Sequence, residues 1–261
     1  MMFPETSCKK LSKANMEIPE TNKVFAERMK LVRRDIGNLL FHFTRTPDED
    51  MYPEIATSDR NALTLLRKIV EGGRLVGSAK WITNKSKCIC FTEAPIHEFA
   101  ALFSLVTLAA DKKERPRYQP YGIAVKRDWL YEKGGRPVIY DNKQSYDLLP
   151  EPLKYRHVLF EPQNGIDCTW EREWRICTDE LSLEPNNTLI IVPDAATAFE
   201  ITYAYAEETI ATYSEGAISA QSGFGPTEGA TGGEGTQGPM LIRKPKWMAV
   251  SLDLFDIKLV S

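Results

Sequence analysis

The 261-residue chain lacks a charge excess of either sign. Its 33 Lys and Arg against 36 Asp and Glu leave a formal net charge of −3, so no global basic field would hold it on nucleic acid and any such contact needs a local patch. Long apolar runs are lacking too. The N-terminal stretch MMFPETSCKKLSKANMEIPETNK has no apolar core of signal-peptide length. The segment around Phe99–Ala110 is interrupted by Ser104 and Thr107 and is too short to span a bilayer. The expectation is a cytoplasmic protein with no membrane partner. Cysteine is sparse and odd in number: Cys8, Cys88, Cys90, Cys168 and Cys177. In a reducing compartment these read as free thiols. Cys88 and Cys90 stand one residue apart with no second close pair, so they read as small buried strand residues and no metal site is expected.

Several catalytic signatures are missing as well. No glycine run leads to Gly-Lys-Ser/Thr, so there is no Walker loop. No Gly-x-Ser-x-Gly elbow and no His-Glu-x-x-His occur; His97-Glu98 lacks the second histidine. Gly232-Gly233-Glu234-Gly235 has no strand before it and no helix after it, which removes a dinucleotide fingerprint. Eight of the 16 glycines fall between Gly216 and Gly238. Residues 215–239 therefore read as a flexible Gly-rich insertion, and because strand-like sequence resumes after it, it interrupts one domain.

What is present is an ordinary globular composition, 43% hydrophobic and 26% charged. Residues 1–22 read as a polar tail and residues 23–261 as a single α+β domain. Helices are predicted over Asn22–Asn38, Asn61–Glu71 (stopped by Gly72-Gly73), Ile96–Ala110, from Asp128 to Gly134-Gly135, and near Ala195–Tyr205. Strands are predicted over Leu39–Thr44, from Arg74, over Cys88–Thr92, Tyr121–Val125, Pro137–Tyr140, Trp170–Cys177 and Thr188–Val192, and near Trp247–Leu252 or Phe255–Val260. No regular strand–helix alternation appears, which favours α+β over a doubly wound α/β fold.

Three segments carry candidate chemistry. His42-Phe43-Thr44 ends an aromatic strand; a core histidine and a ligand contact are both compatible with it. Cys90-Phe91-Thr92-Glu93-Ala94-Pro95 reads either as a pocket mouth or as a junction in which Thr92 or Glu93 caps the next helix. In Trp170-Glu171-Arg172-Glu173-Trp174-Arg175, a strand would put Glu171 and Glu173 on one face, with Trp170, Arg172 and Trp174 on the other. Two such carboxylates need a cation, shared protons or a polar ligand. The plainer alternative is an edge strand with a solvated acidic face, salt-bridged to Arg175.

In their order, these segments resemble the AbiGi-type abortive-infection (phage resistance) family. The residues that carry the resemblance are an early His-Phe-Thr strand, a helix ending Gly-Gly-Arg-Leu, Cys-Phe-Thr-Glu-x-Pro and a late Glu-x-Glu-Trp-Arg. They cover residues 39–177, with Tyr-Gly-Ile-Ala-Val-Lys and Arg-Pro-Val-Ile-Tyr between. The pattern is similar in turn to the ADP-ribosyltransferase fold, including DarT-like toxins. That resemblance implies a split β-sandwich with flanking helices and NAD held in the cleft as substrate. It implies His42 and Thr44 on the early strand and Phe91 and Thr92 on the middle one as NAD-binding residues. Glu173 would be the catalytic carboxylate, with Glu171 its partner toward a nucleic-acid or protein acceptor. It also implies a cognate toxin or antitoxin partner. No clear target-recognition loop precedes Glu171; Gln163–Thr169 is the one candidate. Two other functions stand beside this one: a non-catalytic antitoxin or binding module on the same fold, and a metal-dependent hydrolase or nuclease built on Glu171 and Glu173. Local basic surface for a nucleic acid would come from Arg33-Arg34, from Asp111–Tyr118 with Tyr118 stacking, or from Lys126-Arg127.

Overall fold

The computed structural model describes residues 24–25, 28–29, 37–45, 61–99, 103, 118–212 and 239–255. The tail at 1–22, most of the expected helix after Ile96, the basic residues Arg33, Arg34 and 111–117, the expected insertion at 215–239 except Pro239, and the expected strand after Phe255 lie outside them. Residues 1–37 and 38–261 form two separate compact units. In the first, Val24, Phe25, Arg28 and Met29 are helical.

The second unit opens with β1 (Leu39–Phe43) and helix α1 (Ala62–Gly72). The Asn61 side chain accepts the Thr64 N–H at 2.8 Å and so caps the start of α1. Gly73, at φ 61°, ends it by returning its N–H to the Ile69 carbonyl. Then follow β2 (Arg74–Val76), β3 (Cys88–Thr92), β4 (Gly122–Lys126), α2 (Arg127–Glu132), β5 (Arg136–Pro137), β6 (Ile139–Asp141), α3 (Lys143–Leu148) and β7 (His157–Leu159). The chain continues through β8 (Glu173–Cys177), β9 (Glu180–Ser182), β10 (Thr188–Val192), α4 (Ala195–Ala204), β11 (Ala206–Thr212), β12 (Pro239–Pro245) and β13 (Met248–Ser251).

Seven strands form one sheet in the order β13-β10-β4-β1-β3-β8-β5, antiparallel at every joint except β10 with β13. This is an α+β arrangement. Side chains alternate across a strand, so the registers sort them into two faces. Leu40, Ile123, Ile190, Phe91, Trp174 and Ile176 share one face and cluster with Leu65, Leu66, Ile69 and Val70 of α1. Fully burying a side chain of this size stabilises by about 1.5–3 kcal/mol, so α1 is fixed on this face by its apolar stripe. On the other face, Phe41, Ala124 and Ile191 pack with Phe99, Phe103 and Leu252. Gly122 suits this tight region: a Cβ there would stand 2.6 Å from the His42 carbonyl oxygen.

One joint is unlike its neighbours. β1 pairs with β4 along five positions and β3 with β8 along five. β1 and β3 meet at the single pair Phe41–Thr92. Past that pair no further register pair joins the two strands.

Several expectations change. Residues 170–177 are not one strand. Thr169–Glu171 form a 3-10 turn and Arg172 takes a left-handed conformation (φ 45°), so β8 starts only at Glu173. The common-face argument for Glu171 and Glu173 therefore fails. Nor is β8 an edge strand, since β5 pairs outside it. The stretch at Pro137–Tyr140 also divides: β5 joins the main sheet, and β6 pairs with β7 elsewhere, in parallel. The Gly-rich insertion connects β11 to β12, which pair antiparallel from Ala206–Pro245 to Thr212–Pro239. Pro239, expected to be the insertion's last residue, is the first residue of β12.

Candidate functional site

Where β1 and β3 part, a cavity of about 580 Å³ opens, lined by consecutive residues of both strands, 41–45 and 88–92. Its wall draws on both faces of the sheet. Leu65 and Ile69 of α1 contribute from one side, and Glu171, Glu173 and Arg175 from the other. A cavity can run from face to face only where neighbouring strands are not hydrogen-bonded, and the short β1–β3 joint supplies that gap. All six candidate residues, His42, Thr44, Phe91, Thr92, Glu171 and Glu173, line it. By register, His42, Thr44 and Phe91 belong to the α1 face, and Thr92 and Glu173 to the opposite one.

His42 spans the gap with its ring. Nδ1 lies 2.8 Å from the Cys90 carbonyl oxygen. A carbonyl only accepts, so Nδ1 carries the proton and Nε2 is left as an acceptor. Burial lowers the His42 pKa, with the Cys90 hydrogen bond opposing and Arg45 assisting, so the ring is neutral near pH 7. Phe91 packs against it at 5.7 Å. Thr44, 1% exposed, spends its hydroxyl proton on the carbonyls of Tyr121 (2.9 Å) and Ala62 (3.1 Å), tying the end of β1 to the start of α1. Thr92 donates to the Glu171 carbonyl and accepts the Ala94 N–H at 3.1 Å. This fixes the turn that carries Glu171. Glu93 is turned elsewhere: Arg127 donates to it at 2.9 Å and the Trp174 indole at 3.0 Å.

Glu173 and Arg175 form the charged heart of the site. They are two apart on β8 and share a face, 9% and 5% exposed. Arg175 grips the carboxylate with both prongs, Nε to Oε1 at 2.8 Å and Nη2 to Oε2 at 3.1 Å. Its Nη1 donates to the carbonyls of Tyr155 (2.8 Å) and His157 (3.1 Å). Burial alone would lower the Arg175 pKa; the hydrogen bonds and charge of Glu173 outweigh it and raise the net value. The solvated acidic face envisaged from the sequence is thus a buried, bidentate ion pair. The backbone is fixed too. Glu173 N–H donates to the Tyr140 hydroxyl at 2.9 Å, and the Glu173 carbonyl accepts from Val138 N–H at 3.0 Å. Burial first, then the charges of Glu173 and Glu171, push the Tyr140 pKa up to about 12, against the pull of the Glu173 N–H. The Cys90 thiol, opposite Arg175, is pushed well up by burial and then by the Glu173 charge.

The β2–β3 connection adds residues the sequence did not single out. Ser78, Lys80, Trp81 and Ile82 line the cavity, and Arg45 joins them from the end of β1. Trp81 is 77% exposed and sits at φ 68°, a strained conformation for a bulky residue. Only the backbone angle marks it. Arg175 carried a signal, since Glu-x-Arg on any strand shares a face. The Gln163–Thr169 segment is an ordered loop. Gly165 turns at φ 76°, and Asp167 accepts from the Thr169 N–H (2.9 Å) and hydroxyl (2.7 Å). It delivers Trp170, 43% exposed, against Phe99 and Tyr118. Tyr118 is packed among Phe43, Phe99 and Trp170, which removes it as an open stacking platform. Arg127 is engaged by Glu93, which weakens the Lys126-Arg127 patch. Among the described residues no group of three or more His, Cys, Asp or Glu is placed to hold a metal ion, and no helix is long and apolar enough to cross a membrane. Comparison of the chain with models of protein families, with curated proteins and with solved structures finds no match.

Proposed function

We propose that the β1–β3 cavity binds NAD and that the chain is an ADP-ribosyltransferase-like effector of abortive phage defence, acting on a nucleic acid or protein. One observation carries the reading: the sheet opens at a single joint, and the cavity there gathers His42, Thr44, Phe91, Thr92, Glu171 and Glu173 from both faces. The volume falls within the range of about 300–1,000 Å³ of small-molecule sites. Its wall offers aromatic surface at Phe41, Phe43 and Phe91, cations at Arg45 and Lys80 suited to a diphosphate, and the acceptor Nε2 of His42 suited to a ribose hydroxyl.

A bound NAD would supply a nicotinamide–ribose bond whose cleavage builds positive charge on the sugar. Glu173 fits the task of facing that charge because Arg175 grips both of its oxygens and holds it fixed, with no reorganisation required. Glu171, on its own turn, is free of the strand geometry of Glu173 and suits the acceptor side. The test is nicotinamide release from NAD by wild type, Glu173→Gln and Glu171→Gln. Glu173→Gln is expected to lose about 10²–10³-fold. Full turnover by that variant would remove Glu173 from the assignment.

A second reading has its own support. Arg175 occupies both oxygens of Glu173, and a neutralised carboxylate stabilises a cation less. A non-catalytic binding or antitoxin-like module would have this feature. It predicts no nicotinamide release by wild type, with or without a thermal shift on NAD. The metal-dependent hydrolase reading gains no ligand cluster among the described residues.

A further inference from the structure

Cys88 and Cys177 face each other across the β3–β8 ladder. Both backbone groups of Cys88 point away from β8: its N–H donates to the Ser78 carbonyl at 3.1 Å, and its carbonyl accepts from Ser78 N–H at 2.9 Å. The bond between the strands falls one residue along, from Thr178 N–H to the Lys87 carbonyl at 3.1 Å. Cys88–Cys177 is therefore a non-hydrogen-bonded pair, the kind whose Cα atoms stand about 4.5 Å apart with side chains closest. A disulfide accepts Cα separations of about 4.4–6.8 Å. The remaining described thiols are placed differently. Cys90 faces Arg175 and is diagonal to Cys177, about 7–8 Å away. Cys168 lies outside the ladder, before the turn at Thr169–Glu171. Cys177 is exposed and Cys88 buried, and both are free thiols.

We propose that Cys88 and Cys177 are a modification site, an oxidisable dithiol that a small-molecule disulfide closes into a cross-strand bridge. The exposed Cys177, as thiolate, attacks one sulfur of the small disulfide. That S–S bond breaks, one small thiol leaves, and a mixed disulfide remains on Cys177. Cys88 then gives up its proton and attacks the Cys177 sulfur, which expels the second small thiol and forms the Cys88–Cys177 bond. Two protein thiols are oxidised, one small disulfide is reduced to two thiols, and these take up the two protons. Burial is the largest cause raising the Cys88 pKa, and it persists once Cys177 is in the mixed disulfide, so the second step is the slow one. The bridge would matter to the cavity because Cys88 is in its wall and β8 carries Glu173 and Arg175. It makes the β3–β8 wall one covalent piece while the β1–β3 joint keeps its single pair.

The reduced full chain is incubated with oxidised glutathione, quenched by alkylation and digested without reductant. Two of the five thiols are expected to disappear, and the Cys88 and Cys177 peptides to run linked. Cys177→Ser, at the exposed end, should lower the linked fraction at least tenfold without disturbing the core. Cys88→Ala should stop at a mixed disulfide on Cys177, and Cys168→Ser should bridge like wild type. Retention of all five thiols, arrest of wild type at the mixed disulfide, or a bridge from Cys177 to Cys90 or Cys168 would overturn the proposal. None of these outcomes depends on NAD binding.

Discussion

The sheet differs on the two sides of the β1–β3 joint. Toward β13, the strands β1, β4 and β10 are mostly apolar on both faces, with Leu40, Ile123 and Ile190 on one and Phe41, Ala124 and Ile191 on the other; His42 and Thr188 are polar exceptions. Toward β5, the strands β3 and β8 keep an apolar face in Ile89, Phe91, Trp174 and Ile176. Their second face holds Cys88, Cys90, Thr92, Glu173 and Arg175. The first side is held by packing, which tolerates relaxation. The second is held on one face by a buried charge pair, which does not. The cavity lies on the seam between them, where the strands share one register pair. A sheet apolar on both faces throughout would have left no polar wall for a ligand.

The largest effect is expected on the charged side. Arg175→Ala strands the Glu173 carboxylate and should destabilise by about 3–5 kcal/mol. In denaturant unfolding, the Glu173→Ala/Arg175→Ala double variant should recover part of that loss, because no lone buried charge remains. If the double variant falls as far as the two single losses added, the pair is not what holds this face. On the apolar side, Ile123→Ala should cost about 2–5 kcal/mol. Combined with Arg175→Ala it should add within about 0.5 kcal/mol, since three strand spacings separate β4 from β8. Strong coupling between them would mean that the seam does not divide the sheet energetically.

The smallest effect is at the seam, in pH dependence. The His42 pKa is lowered in the folded chain from 6.5. As pH falls through 6.5 the unfolded state takes up this proton while the folded state still resists it, so stability drops. Above 6.5 the His42 contribution is fully present. The slope from this one group is at most about 1.4 kcal/mol per pH unit, and His42→Gln should flatten it. An unchanged slope in that variant would mean His42 is not held neutral by the gap it spans.

Local signals made much of the scaffold legible. The short apolar and aromatic run at Leu39–Phe43, the apolar run of Thr188–Val192 and the stop of α1 at Gly72-Gly73 each sit where sequence places them. What escaped depends on long-range pairing. The three-residue strands β2 and β9 find each other across the chain, and β11 meets β12 across the Gly-rich segment; no periodicity marks partners that distant. The turn at Arg172 escaped because Trp170–Cys177 alternates like a strand throughout, and the 3-10 turn at Thr169–Glu171 with the left-handed Arg172 breaks it. At the site, residue types were readable but their partners were not. Glu173 could be named from Glu-x-Glu-Trp-Arg, whereas its capture by Arg175 follows only once β8 is known to start at Glu173 and to be buried.

The central claim is that the seam cavity is an NAD site, and calorimetric titration of NAD into the full chain tests it most directly. Val158, in the cavity wall, supplies the control, since Val158→Trp adds bulk to the wall while His42, Glu171 and Glu173 are left unsubstituted. Wild type is expected to bind, and Val158→Trp to bind at least about tenfold more weakly, a difference of about 1.4 kcal/mol. Absence of binding by wild type, or equal affinity in the two proteins, would contradict the account.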